Sequence, residues 1–212
     1  MFASRLKCFL IAAVPFLAMT SIPMHASTIF SENFDAVPAV LGVTTAGQFS
    51  AINGTNVDVV GPGDGFGFLC AAPESGNCVD MGGSGGNPIG QLQLTTPLSL
   101  APGVYDLSFD LIGSGRGVTT STTVTFGSYS HTFSLASGDT ISGIVINQAV
   151  TVAGGSTQLM FVNNDPNDAN GVIGAVLDSV VISSATPEPS SLLLLGTGVL
   201  GVAGAMRRKL MS

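Results

Sequence analysis

Tyr105-Asp106-Leu107-Ser108-Phe109-Asp110-Leu111 decides the fold. Apolar residues occupy every second position, and the positions between them are acidic or hydroxylated. Successive side chains of an extended chain point to opposite faces, so this spacing predicts a strand with one buried and one wet face. The same period returns at Tyr129, His131, Phe133 and Leu135, set between Ser130, Thr132 and Ser134. Val124 and Phe126 repeat it, as do Leu159 and Phe161. Near the end, Leu177, Ser179 and Val181 alternate with Val176, Asp178, Val180 and Ile182. Turn-forming residues separate these runs: Pro102-Gly103, Gly113-Ser114-Gly115, Ser137-Gly138-Asp139, Gly154-Gly155 and Asp165-Pro166-Asn167. No stretch of the body carries a helical period. Short strands divided by turns in this way predict an all-β domain, a β-sandwich, over residues 27–185.

The two ends read differently. Arg5 and Lys7 precede an almost wholly apolar run from Cys8 to Met19, and Met24-His25-Ala26 then offers a small residue before Ser27. That is the pattern of a secretory signal peptide over residues 1–26, cut after Ala26. At the other end, Thr186-Pro187-Glu188-Pro189-Ser190-Ser191 stops any regular element, because proline fixes φ and removes a donor. Leu192 to Met206 has no charge and one polar side chain, Thr197, and Arg207-Arg208-Lys209 follow. An apolar segment ended by a basic cluster keeps that cluster on the cytoplasmic side. From Ser190 to Met206 a helix reaches about 25 Å, the short end of what a hydrocarbon core needs. Its glycines weaken it further, which suits an anchor held transiently in the inner membrane and then removed.

Residues 186–212 closely resemble the PEP-CTERM sorting signal of Gram-negative bacteria. The matching residues are Pro187-Glu188-Pro189, Leu192-Leu193-Leu194-Leu195-Gly196, the Gly/Ala-rich remainder of the helix, and Arg207, Arg208 and Lys209. The resemblance implies an exosortase-type membrane protease that cuts near Pro187-Glu188-Pro189. It also implies delivery of the mature protein to the cell surface or to exopolysaccharide.

Composition narrows the function classes. The chain has 13 acidic residues, all beyond the signal peptide, against 6 basic ones. Arg116 is the one basic residue between the two terminal signals. Such a body repels phosphate backbones, which excludes nucleic-acid binding. Cys70 and Cys78 are the cysteines left after signal cleavage. A pair of cysteines in an oxidising compartment predicts a disulfide, and Pro73 and Gly76 between them allow the loop to turn back. A zinc site would need four ligands, and no histidine lies near in sequence.

A second resemblance concerns the body. Cys78-Val79-Asp80-Met81-Gly82-Gly83, the stretch Leu98-Ser99-Leu100-Ala101-Pro102-Gly103-Val104-Tyr105-Asp106-Leu107-Ser108-Phe109-Asp110, and Gly174-Ala175-Val176-Leu177-Asp178-Ser179-Val180-Val181-Ile182 look like successive parts of a galactose-binding-like jelly roll. Related jelly rolls hold a structural calcium ion between an acidic residue near the first strand and one on the last. The resemblance therefore implies Glu32 and Asp178 as calcium ligands, with the hard oxygen donors that calcium favours.

Little else in the body carries chemistry. His131 is its one histidine and reads as a partly buried strand residue beside Tyr129 and Phe133. No serine–histidine–aspartate arrangement can be assembled. Asp106 and Asp110 share one strand face about 13 Å apart, too far for paired carboxylate catalysis. Gly63-Asp64-Gly65-Phe66-Gly67 is glycine-rich but opens no helix, and Asn163 to Gly171 lacks the closing glutamate of a calcium loop. With no tryptophan and two tyrosines, an aromatic sugar platform is not expected, and Arg116 reads as a solvated loop residue. The expectation is an exported, non-catalytic protein with a structural or adhesive role at exopolysaccharide. The alternative is a calcium-stabilised carbohydrate-binding module, and a secreted hydrolase comes third.

Overall fold

The computed structural model describes residues 27–63, 66, 69–70, 76–84, 90–141, 144–150, 155–165 and 173–184, with 196–198, 200–201, 204 and 206–207 near the C-terminus. Ala26–Ala185 form one compact unit. Its strands are β1 Thr28–Glu32, β2 Val40–Val43, β3 Thr45–Ala46, β4 Phe49–Ala51, β5 Val57–Val60, β6 Cys78–Asp80 and β7 Gln91–Leu94, followed by β8 Gly103–Ile112, β9 Thr120–Phe126, β10 Tyr129–Leu135, β11 Thr140–Ile141, β12 Ile144–Val150, β13 Leu159–Asn163 and β14 Val176–Ser184.

These strands make two antiparallel sheets. The larger has eight strands in the order β11-β8-β14-β6-β5-β2, with β1 added to β14 and β12 to β8. The smaller has six, in the order β10-β9-β13-β7-β4-β3. β8 behaves as its period requires: Tyr105, Leu107, Phe109 and Leu111 are buried, while Asp106, Ser108 and Asp110 are half-buried on the other face. β9 and β13 alternate in the same way.

β14 departs from strict alternation. The expected grouping of Leu177 with Ser179 and Val181 fails, because Leu177, Val180 and Ile182 are the residues in the core. A bulge lies between Asp178 and Val181, and Ser179 takes a φ of 51° there. The extra residue shifts the side-chain phase by one. β5 is also atypical, since all four of its residues are buried. Val59 joins the core between the sheets, whereas Val60 packs on the outer face of the large sheet with Leu69, Cys78, Ile112 and Val176. Covering both faces erases the alternation.

A chain of rings crosses the core. Phe30 of β1 meets Phe49 of β4 at 5.7 Å, Phe49 meets Phe161 of β13 at 6.0 Å, and Phe161 meets Phe109 of β8 at 5.3 Å. Phe109 then meets Phe133 of β10 at 5.7 Å. All four contacts are edge-to-face, the arrangement that the ring quadrupole favours by about 0.5–1.5 kcal/mol each.

The ends of the body meet. β1 runs antiparallel to β14, and Ser184 N–H donates to Ser27 O at 2.9 Å while Ser27 N–H donates to Ser184 Oγ at 3.0 Å.

Candidate functional site

Three groups of side chains bear on function. The first lies on the outer face of the large sheet, where Asp58 of β5 and Asp80 of β6 are register partners and both are buried. Asp58 accepts from Gly42 N–H at 2.6 Å and from Ser84 Oγ–H at 2.5 Å. Gly42 turns its N–H to that carboxylate at a bulge in β2, with a φ of 68° that glycine tolerates. Asp80 accepts from Gly82 N–H at 2.8 Å and faces Arg116 Nη2 at 3.4 Å. Burial lifts the Asp80 pKa to about 6, the neighbouring Asp58 charge adds to the rise, and the Gly82 N–H and the Arg116 charge oppose it. Arg116 is therefore not the lone solvated residue expected from sequence; it is an ion-pair partner reaching 36 residues back along the chain. The arrangement ties the Gly113–Gly117 loop to β6. Cys70 and Cys78 form the expected disulfide beside it.

Glu32 and Asp178 form the second group. Glu32 opposes Val180 on β14 rather than Asp178. One Glu32 oxygen accepts from Phe34 N–H at 3.0 Å and the other from Gln48 N–H at 2.9 Å, which staples β1 to the β3–β4 turn of the other sheet. A Cβ at Gly47 in that turn would fall 2.3 Å from Glu32 Oε2 and push the carboxylate aside, at a φ of 56° that favours glycine. Asp178 is buried, opposes Asp110 and accepts from Ser179 N–H at 2.7 Å. Among the described residues no group of three or more His, Cys, Asp and Glu is placed to hold a metal ion.

The calcium-like loop contributes structure at its described beginning. Asn163 is buried and donates to Met81 O and Ile173 O, and Asp165 accepts from Ser121 N–H. Residues 166–172 lie outside the described residues.

The third group lies on β10, the outermost strand of the small sheet. Phe133 and Tyr129 are half-buried against the core, while His131 between them is exposed, contrary to its expected partial burial. Its ring stands 4.6 Å from Phe133 and 6.3 Å from Tyr129. The Tyr129 and His131 planes are only 31° apart. Burial raises the Tyr129 pKa above its usual value. The ring chain of the core thus comes to the surface on β10 through the i, i+2, i+4 spacing of Tyr129, His131 and Phe133.

Of the sorting residues, Pro187, Glu188, Pro189, Arg208 and Lys209 lie outside the described residues, as do residues 1–26. Arg207 and the other described residues from 196 onward are helical. Among the described residues no helix is long and apolar enough to cross a membrane.

Residues 185–209 match the PEP-CTERM protein-sorting motif. The chain is an exported protein with that sorting signal at its C-terminal end. No curated protein matches the chain. Among solved structures it is similar to the CBM22-1 xylan-binding domain from Paenibacillus barcinonensis Xyn10C, with a TM-score of 0.50 and 13% identity over 77% of this chain and 97% of that one. It is also similar to exo-β-1,3-galactanase from Phanerochaete chrysosporium, with a TM-score of 0.40 and 17% identity over 74% of this chain and 29% of that one. The GH26-CBM35 β-(1,4)-mannanase of Podospora anserina gives a TM-score of 0.39 and 14% identity over 76% and 28%. The chain spans under a third of these two enzymes. The fold of the body is a jelly-roll β-sandwich like that of the CBM22-1 domain.

Proposed function

We propose that this chain is a non-catalytic protein sorted by an exosortase-type protease to the cell surface or exopolysaccharide matrix of a Gram-negative bacterium, where its role is structural or adhesive. The observation that carries the reading is the sorting motif at 185–209 on the same chain as a carbohydrate-binding-module-type sandwich. The C-terminal segment holds the precursor in the inner membrane until it is cut, and the body then associates with polysaccharide, the class of ligand named for the xylan-binding neighbour. A non-catalytic role is supported by His131, the body's one imidazole, whose neighbours among the described residues are the Tyr129 and Phe133 rings.

The intact mass of the protein from the outer fractions of its host tests this. Loss of residues 1–26 and of everything beyond about Pro189, with co-purification of exopolysaccharide, is the expected result. A mass that retains the C-terminal segment, or turnover of a glycan by the purified protein, would discard the reading. Calcium at Glu32 and Asp178 would use the carboxylate lone pairs that the Phe34 and Gln48 amides leave over. A melting temperature that rises when calcium is returned to chelator-treated protein would establish it, and an unchanged one would remove it.

A further inference from the structure

We propose that Tyr129 and His131, backed by Phe133, form a shelf that binds uncharged pyranose rings of a polysaccharide chain. The inference rests on the polysaccharide association proposed above and assigns it a surface.

Three observations carry it. The first is shape. Two rings project from the same face of one strand with planes 31° apart and centroids 6.3 Å apart. Two rings tilted by 31° on one strand face offer aromatic surface to the flat C–H face of a sugar, whose weakly positive hydrogens meet the negative face of an aromatic ring. Both rings also carry polar atoms at their edges, the tyrosine hydroxyl and the imidazole nitrogens, which can pair with sugar hydroxyls.

The second is order. His131 rests on Phe133 at 4.6 Å, Phe133 on Phe109 at 5.7 Å, and Phe109 on Phe161 at 5.3 Å. The exposed ring is thus the end of a packed series anchored in the middle of the sandwich. A surface held in place before binding loses little side-chain entropy when a ligand arrives.

The third is selection. With 13 acidic residues in the chain and Arg116 as the body's one basic residue, the body repels phosphates, sulfates and uronates. Neutral sugars approach without that penalty. Two rings are too small for a stable protein interface, which needs about 800 Å² on each partner.

The experiment is affinity electrophoresis of the full chain in detergent, in native gels containing soluble neutral xylan, exopolysaccharide purified from the host, or polygalacturonate. The protein should be retarded by one or both of the first two and not by the third. Tyr129→Ala with His131→Ala should weaken retardation about tenfold, the scale of one lost stacking contact. His131→Ala alone, at an exposed position, should lose part of it with an unchanged melting temperature, and Leu41→Ser on β2 should lose none. Wild-type retardation undiminished in the double variant would overturn the shelf and leave the proposed function standing. No retardation of the wild type in either neutral gel would overturn both the shelf and the polysaccharide association. Retardation by polygalacturonate alone would overturn the selection for neutral sugars and the shelf with it.

Discussion

The Asp80 carboxylate lies 3.4 Å from the Arg116 guanidinium, yet its pKa stands at about 6. Desolvation outweighs the attraction of a partner whose side chain is 42% exposed.

That balance sets a pH dependence. The folded protein holds the Asp80 proton more tightly than the unfolded chain, where the carboxyl returns to 3.8. The stabilisation is complete below the unfolded value and is lost as pH rises through about 6. The melting temperature should therefore rise as the pH is lowered from 7 to 5, with a gain of about 1 kcal/mol in stability. Asp165, also raised by burial, acts in the same direction. Asp80→Asn should remove most of the rise, as thermal melts across that range would show.

Arg116→Ala should cost about 1 kcal/mol at pH 7, because a partly exposed pair contributes modestly. At pH 5 the cost should shrink, since Asp80 is then largely protonated. A double-mutant cycle with Asp80→Asn measures the coupling, and equal costs at both pH values would contradict the pairing.

Glu32 joins the two sheets through the Phe34 and Gln48 amides. Glu32→Ala strands both donors and should destabilise the body by about 1–3 kcal/mol. Glu32→Gln keeps one carbonyl acceptor and should cost less. Gly47→Ala should cost about 1–2 kcal/mol, because a φ of 56° strains alanine and its Cβ would push the same carboxylate aside.

The Cys70–Cys78 bridge joins Cys78, a member of the outer apolar cluster of Val60, Leu69, Ile112 and Val176, to Cys70 packed against it. Cys70→Ser together with Cys78→Ser should lower stability by about 2–3 kcal/mol in chemical denaturation. A reductant should reproduce the loss in the wild type and add nothing to the double variant.

Phe109 touches both Phe161 and Phe133, so Phe109→Ala should cost about 3–5 kcal/mol. Phe109→Leu should cost less in stability yet loosen the β10 shelf, which the tumbling of the Tyr129 ring by NMR would register.

What the sequence disclosed follows from how locally each feature is encoded. β8, β9 and β13 were legible because one buried face imprints a period of two on neighbouring residues. β5 was not, since Val57-Asp58-Val59-Val60 is covered on both sides and its pattern vanishes. The β14 bulge hides behind an ordinary serine at 179, whose positive φ leaves no compositional mark. Asp80 and Arg116 were each visible, but their encounter depends on how a loop folds back over β6. The ring chain draws Phe30, Phe49, Phe161, Phe109 and Phe133 from five strands, an order that only the sheet topology produces.

The hydrogen bonds between Ser27 and Ser184 make the body a cassette with entrance and exit side by side. Such a unit can be spliced into a surface loop of an unrelated carrier without prying its sheets apart. It can also be closed on itself by a short peptide and reopened elsewhere, which would free the sandwich from the residues before Ser27 and after Ser184.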